Sequence, residues 1–181
     1  MKTTLSMLAL CILTMGALFA ALPSQLALSS SAAGLSSTPA NEELVGTWRL
    51  VRFTRTIVAT GEAQETFGEA PSGFIQFGRD GRMMMFVVKD QRPSPPDPEK
   101  MTDQQRAELF KTMIAYGGTY LFDGKTLTSH LDVTWNQAWT GTDIVRHVTL
   151  QGRKLILTAD PHKSYVDGNV ISAVMTFEKL P

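Results

Sequence analysis

Phe74-Ile75-Gln76-Phe77-Gly78-Arg79-Asp80-Gly81-Arg82-Met83-Met84-Met85-Phe86-Val87-Val88 is the stretch on which the fold turns. Two apolar-rich runs flank Asp80-Gly81, a pair that readily takes the positive φ angles of a tight turn, so the segment reads as a β-hairpin. Similar short runs recur on either side. Trp48 to Thr54 precedes it; Thr119 to Phe122, Thr126 to Val133, Asp143 to Leu150, Leu155 to Ala159 and Val170 to Leu180 follow, punctuated by Asp123-Gly124 and Gln151-Gly152. Many short strands without alternating helices predict an all-β domain. Left open, a sheet of about eight strands would expose two edges, whereas closure into an antiparallel up-and-down β-barrel removes them. A barrel of that size either fills with side chains or keeps one small-ligand cavity. A filled sandwich is the structural alternative.

One segment breaks the rhythm. Thr102-Asp103-Gln104-Gln105 is a capping box that predicts one helix between strands, with Leu109, Phe110, Met113 and Ile114 on one side and Gly117-Gly118 as its stop. The helix is expected to cover apolar surface. Before it, Arg92-Pro93-Ser94-Pro95-Pro96-Asp97-Pro98 is too proline-rich for a central strand and reads as a stiff surface connection.

The amino terminus is organised differently. Lys2 precedes an apolar run from Leu5 to Leu22, followed by small residues through Ser37, the order of a secretory signal. Residues 1–33 are therefore expected to be a signal peptide, 34–41 a flexible lead-in and 42–181 the barrel domain, with cleavage between Ala20 and Ala40. An uncleaved anchor is the alternative, because the run approaches the length of a spanning helix. Leu8-Ala9-Leu10-Cys11 sits too near the start, behind too bulky a residue, to read as a lipidation site. Cys11 is the single cysteine, so cleavage leaves a mature chain without thiol or disulfide. A periplasmic or secreted protein without stable membrane insertion is the resulting expectation.

Composition narrows the partners. The 181 residues are 43% hydrophobic and 19% charged, a globular composition, and 17 basic residues balance 17 acidic ones. Nothing there collects phosphates, which argues against nucleic acid. His130, His147 and His162 stand in separate segments without metal-ligand spacing, and no nucleotide fingerprint or nucleophile elbow occurs. No metal and no cofactor are expected.

Gly46-Thr47-Trp48 resembles the Gly-x-Trp signature of lipocalins. The resemblance implies that Trp48 plugs the closed end of the barrel beneath a basic residue from the far end of the chain, for which Lys179 is the candidate. A longer set of stretches resembles the lipocalin-like domain family of bacteria and fungi. They are Leu44 to Leu50, Gly73 to Phe77 with Asp80 to Met83, Ala115 to Tyr120, His130, Trp139 to Thr142 with Arg146, and Phe177 to Lys179. Phe177 and Lys179 stand where that family is expected to carry tryptophan and arginine. The resemblance implies the fold and little about activity, since the fold serves carriers and enzymes alike.

Strand alternation nominates the site. Ile144, Arg146, Val148 and Leu150 share a face, which turns Arg146 inward with the apolar set. An inward arginine needs partners. Two readings stay open: a clamp for an acidic ligand oxygen, with His130 and Tyr116 or Tyr120 alongside, or an internal brace in which Arg146 pairs with Asp132. Thr128, His130 and Asp132 share one face of their strand, opposite Leu127, Ser129, Leu131 and Val133. Arg52 follows Trp48 and Leu50 on one face and is a further candidate, although its guanidinium can equally reach solvent. Trp135 and Trp139 are candidates for the mouth of the cavity. These residues suit a module binding a small hydrophobic or amphipathic molecule. The rival is an isomerase or cyclase of a carbonyl compound, with His130 as acid and base beside a tyrosine and Arg146. The sequence sets neither the ligand nor the oligomeric state.

Overall fold

The structure, a computed structural model, describes residues 39–181. The expected signal peptide at 1–33, its cleavage and Cys11 lie outside the described residues. Nine strands follow in chain order: β1 (Gly46–Ile57), β2 (Ala63–Glu65), β3 (Ser72–Phe77), β4 (Arg82–Val88), β5 (Met113–Phe122), β6 (Thr126–Thr134), β7 (Asp143–Gln151), β8 (Lys154–Lys163) and β9 (Val170–Lys179). Each of β3 to β8 pairs antiparallel with the next. β1 pairs with both β3 and β9, so eight strands close into a barrel and β2 rides on the upper half of β1.

Helix α1 (Pro39–Leu44) occupies part of the segment expected to be a flexible lead-in. Its last residue explains the order. Leu44 is fully buried and its carbonyl accepts a 2.7 Å hydrogen bond from Trp48 Nε1, which ties the helix to the lower end of the barrel. The hairpins 78–81, 123–125 and 152–153 turn at this same end.

The capping box starts helix α2 (Asp103–Lys111) as expected, but the helix ends earlier than its apolar spacing predicts. Met113 and Ile114 already belong to β5, and Gly117-Gly118 lie within that strand instead of stopping a helix. Packing supplies the reason. β5 is laddered to β4 from Val88↔Met113 onward, and a Cβ on Gly118 would lie 1.8 Å from the His130 carbonyl oxygen of β6, so only glycine allows that approach. None of the helix residues is buried; Phe110 leans on Trp135 with ring centres 6.0 Å apart, outside the barrel wall.

Alternation fills the lower barrel. Trp48, Phe77, Leu127, Leu131, Leu155 and Phe177 point inward and are essentially inaccessible. Met83 and Met85 join them, whereas Met84 between them faces out. The upper half is less filled, and the site lies there.

Candidate functional site

The strands carry their polar inward residues toward the upper end, where a cavity of about 440 Å³ opens. That volume lies in the range of small-molecule sites. Phe53, Ile114, Ile144, Ile171 and Met175 give it apolar walls. Arg146, Arg55 and Thr66 give it polar ones.

Arg146 enters from β7, as alternation predicts. Its Nη1 donates to the Tyr116 hydroxyl at 2.8 Å, and Tyr116 Oη lies 3.6 Å from Met85 Sδ. Among the described residues no carboxylate pairs with Arg146. The expected brace is not formed, because Asp132 faces outward and binds Arg82 at 2.6 Å. A half-buried cation thus meets the cavity with only a neutral partner, an arrangement suited to an acidic group from elsewhere.

Arg55 was not visible as a site residue. Strict alternation along β1 carries the inward face through Trp48, Leu50 and Arg52, but the β1–β9 register shifts between Leu50 and Arg52. One extra residue inverts the parity beyond it. Arg52 therefore emerges on the outer surface, where its Nε donates to Glu65 at 2.8 Å, and Phe53 and Arg55 turn in. The correction moves one arginine out of the site and another into it. Arg55 is held by Asp167 at 2.8 Å and by Gln64 at 2.9 Å. Burial opposes ionisation of Asp167, but hydrogen bonds from Ser164, the Asn169 backbone and Arg55 outweigh it and hold the carboxyl at about 2. Thr66 Oγ1, buried against the cavity, has no hydrogen-bond partner among the described residues.

His130 does not belong to this group. In β6 the Leu127 and Leu131 face is the buried one, so His130 stands on the outside with Nδ1 2.7 Å from Asp143. Tyr120 is inward but at the opposite end: its hydroxyl donates to Gly78 O at 3.0 Å and its ring packs edge-on against Phe77. Burial first, then the charges of Asp80 and Glu42, push that hydroxyl above its ordinary pKa. Of the two tyrosines, Tyr116 alone reaches Arg146.

Trp135 and Trp139 belong to the β6–β7 loop. Their rings meet edge-on at 4.7 Å, and both meet Tyr165 of the β8–β9 loop, at 5.6 and 5.4 Å. Burial within this cluster pushes the Tyr165 hydroxyl up to about 12, against the lowering effect of Arg55. Trp139 lines the cavity, while Trp135 borders a shallow groove on the outer wall.

The barrel wall has a break beside Arg146. β7 and β8 pair from Gln151↔Lys154 up to His147↔Thr158, and there the ladder stops although both strands continue. Pro161, which has no N–H to donate, lies in the unpaired part, and β8 shifts register against β9 between Ala159 and His162. The lower rim is marked by His147 Nε2 against Asp160 at 3.1 Å. Val145 and Asp160, which alternate away from the barrel interior, nevertheless line the cavity.

At the closed end, Lys179 is paired with Trp48 across β9 and β1. Its Nζ lies 4.9 Å from the centre of the indole and also donates to Glu43 O at 3.3 Å. Gly46 makes room for it, since a Cβ there would stand 3.1 Å from Lys179 Cε at a φ of 127°.

A closed antiparallel barrel, solid at one end and hollow at the other, with a tryptophan under a lysine at the solid end, defines a lipocalin-like protein. The chain belongs to the lipocalin-like domain family, whose sequence model matches residues 45–180. Among solved structures it is similar to a lipocalin-like protein from Bacteroides uniformis, at 16% identity over 76% of this chain and 99% of that one, with a TM-score of 0.41. It is also similar to a variant of the fluorescent protein UnaG, at 13% identity over 77% and 98%, with a TM-score of 0.34. No curated protein matches the chain.

Proposed function

We propose that this protein binds a small amphipathic molecule carrying an acidic group, with the acid on Arg146 and the apolar body against Phe53, Ile171 and Met175. The observation that carries the reading is the Arg146 guanidinium, turned into a cavity of about 440 Å³ with a tyrosine hydroxyl as its partner and no carboxylate among the described residues. A charge-assisted hydrogen bond to such a group contributes roughly 1.5–3 kcal/mol. The charge, apolar run and small residues at 1–33 support export, so the site works in the periplasm or outside the cell. The rival enzyme reading depended on His130 as proton carrier beside Arg146, and that histidine lies on the outer wall.

The test is fluorescence titration with 11-(dansylamino)undecanoic acid and its methyl ester. Wild-type protein binds the acid saturably, and Arg146→Met weakens it by about 10- to 100-fold, the equivalent of roughly 1.4–2.8 kcal/mol. The ester binds both proteins alike. Equal affinity of the acid for both proteins defeats the proposal. Sequencing the amino terminus of the exported protein tests the localisation, with a new terminus expected between Ala20 and Ala40.

A further inference from the structure

The geometry points to the side of the barrel, between β7 and β8, as the route by which the ligand enters and leaves, with Arg146 as the anchor just inside. This rests on the proposed binding of an acidic amphiphile, and it names the path to the same cavity. The opening is a framed window. Its two jambs are Asp143–Arg146 and Ala159–Lys163, beyond the last laddered pair His147↔Thr158. His147 and Asp160 form the sill at 3.1 Å, and Trp139 against Tyr165 forms the lintel at 5.4 Å.

The axial mouth is the obvious competitor, and aromatic contacts link the two loops beside it. Trp135, Trp139 and Tyr165 join the β6–β7 loop to the β8–β9 loop by edge-on contacts, and the second of these loops is further tied down through Asp167 to Arg55. Entry along the axis requires those contacts to part. Entry through the window breaks no backbone ladder, because Pro161 and the shifted β8 register have already removed it. Arg146 is the first inward residue of β7 above the last pair, so its guanidinium lies beside the opening. An acidic head group that stops there leaves its apolar body to move on toward Phe53 and Met175, and the head remains nearest to solvent.

Stopped-flow exchange of 11-(dansylamino)undecanoic acid tests the route. Val145→Trp fills the window from one jamb, and Asp160→Trp fills it from the other. Thr149→Trp places the same bulk on the outer face of β7 below the window, where the ladder is intact. The expected result is that each of the first two lowers both the association and the dissociation rate by at least tenfold. Thr149→Trp exchanges at the wild-type rate. Wild-type rates in both Val145→Trp and Asp160→Trp overturn the lateral route while leaving the ligand reading intact. Absence of saturable, Arg146-dependent binding in the parent protein defeats the ligand reading itself, and the route with it.

Discussion

Lys179 and Trp48 face each other across the β1–β9 ladder, the ammonium 4.9 Å from the indole centre and the indole 1% exposed. The two contribute unequally. Most of the stabilisation comes from burying the ring, and a half-exposed cation–π contact adds only about 0.5–1 kcal/mol. Trp48→Ala is therefore expected to cost roughly 3–5 kcal/mol, and Lys179→Met about 1 kcal/mol or less. Urea denaturation of both variants checks this. Equal midpoints for Trp48→Ala and wild type would rule out the indole as the closure of that end.

Arg146 gives a second prediction through what it lacks. Removing one member of a buried ion pair strands the other, at about 3–5 kcal/mol, but Arg146 has no carboxylate to strand among the described residues. Arg146→Met is expected to leave the thermal midpoint within a few degrees while reducing affinity for an acidic probe. His130→Ala, on the outer wall beside Asp143, should leave that affinity within twofold. Loss of binding in His130→Ala would show that the cavity is not where the ligand sits.

Asp167 supplies a pH dependence. Its folded-state pKa of about 2 lies below the usual aspartate value, so the Arg55–Asp167 clamp on the β8–β9 loop is fully present above about pH 4. Its stabilisation diminishes as pH falls through 2. Carboxyl NMR of Asp167 should titrate near 2, with hydrogen exchange in the 164–169 loop rising over the same window. A midpoint near 4 would mean that the clamp does not hold in solution.

Gly118 provides a test of the β5–β6 pairing, whose register shifts between Gly117 and Gly118. With its Cβ position 1.8 Å from the His130 carbonyl oxygen, Gly118→Ala must push two ladder strands apart. Overpacking of this kind costs about 1–3 kcal/mol. Gly124→Ala, at a turn where nothing lies within 4 Å, meets no such wall and isolates the strain of a φ of 97° alone. Thermal midpoints of the two variants separate the effects.

Most of the barrel was legible because its strands announce themselves by alternation and by Gly-containing turns. β4 occupies Arg82–Val88 in both readings, and β6 and β7 differ from their expected spans by a single terminal residue. The misreadings share one physical origin, since a period of two survives only while register is kept. The bulge after Leu50 exchanged Arg52 for Arg55, and no local residue signals it. The α2–β5 boundary was ambiguous for another reason. Leu109, Phe110, Met113 and Ile114 fit a helix, while Ile114, Tyr116, Gly118 and Tyr120 fit a strand, and pairing with β4 decides between them. Within the site, Arg146 was readable from alternation, whereas Tyr116 fell in the segment expected to be helical and was named only as an alternative to Tyr120. His130 was misplaced because its strand offers two faces, and the two buried leucines choose the inner one.

The break between β7 and β8 also bears on how the protein behaves at high concentration. Closure of a barrel normally leaves no strand free to recruit another, yet Asp143–Arg146 and Ala159–Lys163, each laddered on one side only, leave short unpaired edges toward each other. Such backbone is a template for strand addition and polymerisation unless something blunts it. Pro161 withholds a donor at the middle of one side, and Asp143 and Asp160 place charge on both. The residues that keep the wall open are thus also the ones that keep one molecule from being stitched to the next.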